Sequence, residues 1–193
     1  MLKNKLKEKN IILASASPRR RELLSGLDFD FKIEVREVDE TPPENLKGAE
    51  ITDFIVKKKA SAFDDLKDND ILITSDTLVL LDDEILGKPK NEEEAKRMLK
   101  KISGKKHQVI TSVCFTTNQN QQTIHDSTDV YFRELSDKEI DYYVASYQPF
   151  DKAGSYGIQE WIGFIGVEKI DGCFFNVMGL PLRLVYDVLN NHF

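Results

Sequence analysis

A mixed α/β fold with helices around the sheet is what this sequence predicts, on two observations. Strand-like and helix-like segments interleave along the chain, which is the pattern of a layered α/β protein. Hairpin signals at Asp82-Asp83, in the polar turn "TNQNQQ" and at Asp171-Gly172 require antiparallel neighbours, so the sheet is not purely parallel. The 193 residues suffice for one large domain or two closely packed lobes, and a core of that size needs no disulfide staples.

The elements follow in order. Residues 11–14, "IILA", are a short apolar run and predict a buried strand. Ser17 reads as a helix N-cap and Pro18 as the first helical residue, with the helix running to about Leu24 and Gly26 near its end. Residues 29–40, "FDFKIEVREVDE", alternate like a strand that ends in acid, and "TPPENLKG" is a loop. Residues 49–66 predict a helix with Ile51, Phe54, Ile55, Ala62, Phe63 and Leu66 on one face. "DILITSDTLVLLDDEILGKP" starts with a strand that delivers Ser75, Asp76 and Thr77 at its end, and a hairpin turning at Asp82-Asp83 follows. Asn91 to Glu94 has the spacing of a capping box and opens a helix that stops at Gly104. Strands over about 107–116 and 123–133 come next. Ser136 to Glu139 is a second capping box, opening a helix to about Tyr147. Residues 148–160, "QPFDKAGSYGIQE", are glycine-rich and irregular. Strands near 162–169 and 173–177 flank Asp171-Gly172, and a helix beginning at Pro181 closes the chain.

Composition excludes several classes. The net charge of −6 argues against a general nucleic-acid binder, which carries a basic surplus. No apolar run approaches the roughly 20 residues of a membrane span. The lysine-rich "MLKNKLKEKN" lacks the apolar core of a signal peptide and reads as a solvated lead-in to the first strand. The expectation is a soluble cytoplasmic protein without membrane or nucleic-acid partners. Cys114 and Cys173 lie in apolar stretches and read as buried reduced thiols. The histidines at 107, 125 and 192 are scattered, and no HExxH or CxxC spacing is present, so a zinc site is not expected.

The chemistry-bearing residues start with "ASASPRRRELLSG". Arg19, Arg20 and Arg21 fall in the first helical turn, where the helix dipole already disfavours cations. The placement makes sense if a polyanion docks there, since free N–H groups and guanidinium groups then act together. A solvated turn paired with Glu22 is the alternative. Asp76 ends an apolar strand, where open α/β sheets bind ligands. It is open to three roles: metal ligand, general base or turn cap. Lys58 and Lys59 fall within the angular range of the apolar helix stripe, where a lysine must snorkel or meet an anion. Lys88 sits in a loop held by Gly87 and Pro89. Asp39 and Glu40 end an extended segment and suit Mg²⁺, which takes one or two carboxylates plus phosphate oxygens and water, although a solvated acidic turn has the same sequence. "DKAGSYGIQ" combines Asp151, Lys152, two glycines, Tyr156 and Gln159; the Gln159 carboxamide matches the imide edge of uracil or thymine. Basic groups for phosphates, acids for a metal and an amide for a base together describe a nucleotide site.

"LASASPRRRELL", "SDT", "GKP", "SGKKHQVITSV", "DKAGSYGIQ" and "MGLP" resemble the Maf family of nucleoside triphosphate pyrophosphatases, in order and in register over about residues 11–187. The "DKAGSYGIQ" loop resembles the subgroup that acts on dTTP and UTP. The resemblance implies one pyrophosphatase domain over residues 1–193, related to inosine triphosphatases, with two lobes around a cleft. It implies hydrolysis of a nucleoside triphosphate to its monophosphate and pyrophosphate, a divalent metal (Mg²⁺ or Mn²⁺), a homodimer, and a role in removing non-standard or surplus nucleotides. It places the catalytic acid on Asp76 and the positions linked to substrate choice on Arg19, Thr77 and Gln159. It places the serine and second arginine of the first motif on Ser17 and Arg20, the lysines on Lys59 and Lys88, and the early acidic pair on Asp39 and Glu40, metal ligands together with Asp76. Lys152 joins the substrate-binding set. Two positions depart from the family pattern. Ser75 replaces an alanine before the acid, and Glu160-Trp161 replaces a glycine-containing continuation, whose bulk and charge would narrow the base pocket. A nucleotide-binding regulator of cell division without significant catalysis, or a phosphatase releasing single phosphates, would use many of the same residues.

Overall fold

Asn10–Ala14 forms the buried strand β1, and its apolar side chains set the start of the sheet. The structure, a computed structural model, describes residues 1–193. Before β1 comes a helical turn, α1 (Leu2–Lys5), and after it α2 (Pro18–Ser25), β2 (Lys32–Ile33), α3 (Ala49–Ala60) and β3 (Asp70–Leu81). The chain continues through β4 (Glu84–Leu86), α4 (Glu92–Ile102), β5 (Lys106–Thr116), β6 (Gln121–Phe132) and α5 (Asp137–Tyr147). A 3₁₀ turn (Ala153–Ser155), α6 (Trp161–Gly166), β7 (Val167–Asp171), α7 (Phe174–Met178) and α8 (Leu182–His192) complete it. Seven strands make one mixed sheet in the order β2-β1-β3-β5-β6-β7, with β4 paired to β3.

The residues divide into two compact units. The first is Met1–Asp76, Thr111–Asp126 and Gly179–Phe193; the second is Thr77–Ile110 and Ser127–Met178. In the first, β1 pairs in parallel with β3 from Asn10↔Asp70 to Ala14↔Thr74 and with β2 at Ile12↔Lys32 and Leu13↔Ile33. Ile12, Ala14, Val56, Ala60, Phe63, Leu72 and Cys114 pack together under α3. In the second, β4 returns antiparallel to β3 through Leu81↔Glu84, and β7 pairs antiparallel with β6. Its core brings Leu99 and Ile102 of α4, Ile140, Tyr143 and Val144 of α5, and Ile162 of α6 onto Val109, Val130 and Phe132.

The helix caps follow their sequence signals. Ser17 Oγ accepts from Arg20 N, Asn91 Oδ1 from Glu94 N, and Ser136 and Glu139 close a reciprocal capping box. Six expectations change. The segment 29–40 is strand only at Lys32–Ile33, because β1 offers partners for two residues and the apolar side chains of Ile33 and Val35 face water rather than a core. The helix predicted over 49–66 ends at Ala60; Phe63 still reaches the core, from the turn beyond it. "ILITSDT" does not end its strand at Thr77, since β3 runs on to Leu81. The hairpin at Asp171-Gly172 is absent: Trp161–Gly166 and Phe174–Met178 are helical, and β7 pairs with β6 instead. Gly163 explains part of this, for a Cβ there would lie 1.9 Å from the Ile158 carbonyl oxygen, an approach only glycine permits. The amino-terminal lead-in is anchored rather than free, with Leu2 and Leu6 buried. Cys114 is buried, Cys173 only partly, and both are free thiols.

His107 is a buried polar group inside the second core. Its Nε2 shares a 2.7 Å hydrogen bond with the Tyr156 hydroxyl, its Nδ1 has no partner, and its ring lies 5.5 Å from that of Phe132. Burial pushes its pKa down to about 4, against a smaller upward pull from Asp129. Above the ordinary histidine value both folded and unfolded chains hold it neutral, and its contribution to stability is complete. As pH falls from about 6.5 to about 4, the unfolded chain takes up a proton that the fold refuses, and about 3 kcal/mol is lost across that window. Urea unfolding of wild type and His107→Leu at pH 7.5 and pH 4.5 measures this. The variant is expected to lack that part of the acid sensitivity, whatever its stability at neutral pH.

Candidate active site

In the first unit the site is built on the ends of β1, α2, α3 and the middle of β3. Ser15 Oγ accepts from Ser17 N at 3.2 Å, and Ser17 caps α2. Arg19 is half-buried in the first turn. Arg20, one residue further, folds back on the framework. Its Nε donates to the Gly179 carbonyl at 2.9 Å and its Nη1 to the Ser75 carbonyl at 2.9 Å, with a longer contact to Ser15 Oγ. Sequence reasoning assigns this guanidinium to phosphate; the structure engages two of its nitrogens with backbone carbonyls on either side of it. The hydroxyl of Ser75 also donates to the Gly179 carbonyl, at 3.3 Å, so the departure from alanine at 75 adds a second tie to the same turn. Burial pulls the Arg20 pKa below the usual arginine value, Asp76 raises it, Arg19 lowers it and Glu40 raises it, so two cations and two carboxylates share one electrostatic neighbourhood.

The lysine at the end of α3 organises those carboxylates. Lys59 Nζ lies 2.9 Å from Asp76 Oδ1 and 3.1 Å from Glu40 Oε2. The side chains of Lys59 and Asp76 are 16% and 18% exposed, so this contact is largely shielded from solvent, unlike an ordinary surface pair. Thr74 Oγ1 donates to the Val56 carbonyl at 2.8 Å, which fastens α3 to β3 one turn before Lys59 and brings the ammonium to Asp76. Lys58, on the same stripe by angle, is exposed. The early acidic pair splits. Glu40 reaches Lys59, whereas Asp39 Oδ1 accepts from Thr41 N at 3.0 Å, and hydrogen bonding to Thr41 holds its pKa below the usual carboxylate value. No group of three or more His, Cys, Asp or Glu residues is placed to hold a metal ion. Two carboxylates converging on one cationic centre still fit a hard divalent ion, which takes one or two protein carboxylates and fills its remaining positions with phosphate oxygens and water. By that test Glu40 and Asp76 fit, whereas Asp39 is turned to Thr41 and not to Lys59.

The second unit carries Thr77, Lys88, Lys152 and Gln159. Thr77 is half-buried on β3, and Lys88 is exposed in the loop after β4. Gly154 N donates to the Gly87 carbonyl at 3.1 Å, which links the "DKAGSYG" segment to the "GKP" loop. Gly154 has φ +69°, and a Cβ there would press on Val79, so the turn requires glycine. Lys152 is buried, with Nζ 2.8 Å from Asp151 Oδ1 and 3.1 Å from Glu160 Oε1. Gln159 Oε1 is buried and accepts no hydrogen bond. A buried carboxamide oxygen left unpaired costs about 1–3 kcal/mol, and a donor from a ligand removes that cost. One residue escaped the sequence reading, and another was read without its partners. Tyr143 follows the spacing of core residues on α5, so nothing local marks it. Glu160 is visible as a departure from the family pattern, but its carboxylate turns to the Tyr143 hydroxyl and Lys152.

Cations and carboxylates interleaved along the strand and helix ends of a mixed α/β sheet are the equipment of proteins that handle phosphoanhydrides, where positioning and electrostatics carry the chemistry. The chain belongs to the Maf family: the Maf-like protein family matches residues 10–192. A protein of Flavobacterium psychrophilum called "dTTP/UTP pyrophosphatase" is 54% identical over 100% of this chain and 99% of its own. One of Christiangramia forsetii with the same name is 55% identical over 98% of this chain and 97% of its own. Among solved structures, the Staphylococcus aureus Ham1 protein matches 64% of this chain and 72% of its own at 13% identity and a TM-score of 0.46, too slight a likeness to carry an argument.

The Arg20 ties lead to a stability prediction. Arg20→Lys keeps the charge but loses the fork that reaches two carbonyls, and thermal or urea unfolding is expected to register a loss of about 2–4 kcal/mol.

Proposed function

We propose that this protein hydrolyses dTTP and UTP to the monophosphate and pyrophosphate. The reaction class rests on the likeness to relatives of that name over essentially the whole chain. The observation that carries the base preference is the buried, unpartnered Oε1 of Gln159. Uracil and thymine present an imide N–H that this oxygen can accept, beside carbonyls that the Gln159 amide can reach as donor. Cytosine presents an acceptor at the same ring position and leaves the oxygen unpaired.

In the proposed reaction, water attacks the α-phosphorus in line, the bond to the bridging oxygen breaks, and pyrophosphate leaves. Asp76 receives the proton of the attacking water or holds the cation at the phosphates, and Lys59 keeps its carboxylate in place for either role. A divalent cation held by Glu40 and Asp76 would neutralise charge on the phosphate oxygens. Ser17, Arg19 and the amino-terminal end of α2 bind the phosphate chain, with Arg20 behind them holding the strand that carries Asp76. Lys88 neutralises charge growing on the leaving pyrophosphate, and Thr77 with Gln159 serves substrate choice. A single domain over residues 1–193, a homodimer, a cytoplasmic location and independence of nucleic acid and membrane belong to the same proposal. No helix is long and apolar enough to cross a membrane.

Incubation with UTP, dTTP, CTP and purine triphosphates in the presence of Mg²⁺ or Mn²⁺, with separate assays for pyrophosphate and orthophosphate, tests the reaction. Pyrophosphate from UTP and dTTP is the expected product, and release of orthophosphate alone contradicts the proposal. Asp76→Asn is expected to lose at least about 10²–10⁴-fold in kcat while its melting temperature stays close to that of wild type. Gln159→Ala is expected to lower the UTP-to-CTP ratio of kcat/KM by about 10²-fold or more.

A further inference from the structure

A glutamine that discriminates bases through its carboxamide can do so only as well as its backbone is fixed, and Gln159 stands on an irregular segment between the 3₁₀ turn and α6. That segment is bracketed on both sides by one phenol. Gly157 N donates to Tyr143 Oη at 3.1 Å, and Tyr143 Oη donates to Glu160 Oε2 in a short bond. The other carboxylate oxygen of Glu160 takes Lys152 Nζ at 3.1 Å, and that ammonium also meets Asp151. Tyr143 itself is wholly buried on α5 between the core residues Ile140 and Val144, so the point of attachment belongs to the rigid part of the unit.

The approach is close enough to restrict the sequence. A Cβ on residue 157 would lie 2.8 Å from Glu160 Cδ, so the glutamate side chain occupies the space that any side chain there would need. Within the backbone, Glu160 N donates to the Gly157 carbonyl at 3.0 Å and the Glu160 carbonyl caps the start of α6 through Gly163 N and Phe164 N. Burial and the Glu160 carboxylate push the Tyr143 pKa well above its usual value, so the hydroxyl stays a donor at any working pH.

We propose that Tyr143, Glu160 and Lys152 form a positioning network that fixes the base-reading carboxamide of Gln159 and thereby sets discrimination between uracil-type and cytosine-type nucleotides. Tyr143 and Glu160 touch neither base nor phosphate; they act through the backbone on either side of Gln159. Lys152 serves here as the counter-ion of Glu160. The inference rests on the proposed role of Gln159.

Steady-state kinetics of the full chain with UTP and CTP, for wild type, Tyr143→Phe, Glu160→Gln, Gln159→Ala and the Tyr143→Phe/Gln159→Ala double variant, test it. In Tyr143→Phe the KM for UTP is expected to rise, kcat to stay within a few-fold, and the UTP-to-CTP ratio of kcat/KM to fall about 10- to 100-fold. Glu160→Gln keeps an acceptor for the tyrosine and loses the charge that holds Lys152, so its ratio is expected between those of wild type and Tyr143→Phe. On the Gln159→Ala background, Tyr143→Phe is expected to change the ratio no further. A purely structural tyrosine would lower the active fraction for both substrates alike, so an unchanged ratio in Tyr143→Phe overturns the proposal, as does a further fall in the double variant. Should Tyr143→Phe fail to fold, an unchanged ratio in Glu160→Gln overturns it equally. A wild-type enzyme with no preference for UTP, or a Gln159→Ala variant with an unaltered ratio, sinks the role of Gln159 itself and is thereby distinguished from failure of the network alone.

Discussion

The ammonium of Lys59 between two carboxylates is the contact on which the first unit's chemistry depends. Asp76 comes from the middle of β3 and Glu40 from an irregular segment without regular pairing, and both close on the same nitrogen. The contact thus gathers both carboxyl groups at one nitrogen, with its Asp76 half largely shielded from solvent. It sits at the end of α3. Lys59 lies in the last turn, where the helix dipole favours cations, and Ser61 stops the helix before the chain turns Phe63 into the core.

The arginine-rich start of α2 poses the opposite problem, because the same dipole disfavours cations at that end. Arg20 resolves part of it by giving its protons to the carbonyls of Gly179 and Ser75. Those bonds join three stretches that are remote in sequence, and one of the joined carbonyls belongs to the residue preceding Asp76. Arg19, Asp76 and Glu40 all act electrostatically on that guanidinium. Within the three-arginine run one guanidinium therefore builds the frame, and under the proposed function the positive end of the helix serves the anionic ligand.

Much of this was legible in the sequence, and the exceptions share a physical cause. Caps are local, so Ser17, Asn91 and Ser136 marked their helices correctly. Antiparallel return at Asp82-Asp83 is local too. The alternation over 29–40 was real, but alternation makes a strand only where a neighbour supplies hydrogen bonds, and β1 supplies them for two residues. The segments around Asp171-Gly172 are short apolar runs whose periodicity does not separate strand from helix, and the partner that β7 takes, β6, is remote from the predicted hairpin. Within the site, composition and order identified the charged groups but not their partners. Adjacent carboxylates on extended chain point to opposite sides, so Asp39 and Glu40 look equivalent in sequence while only Glu40 reaches Lys59.

Glu160 shows how a substitution beside a recognition residue is accommodated. Read alone, a carboxylate next to Gln159 adds bulk and negative charge where a nucleotide would be read. In the fold its charge is taken by Lys152 and its second oxygen by Tyr143, while Gly157 leaves the room it needs. Each contact has its own consequence if removed. A side chain at 157 would displace the carboxylate, loss of Lys152 would leave it with a single hydrogen bond in a mostly buried place, and loss of the tyrosine hydroxyl would free both it and the Gly157 amide. Glycine at 157, lysine at 152 and tyrosine at 143 thus accommodate the glutamate together, and under the proposed role of Gln159 the carboxylate supports the base reader rather than intruding on it.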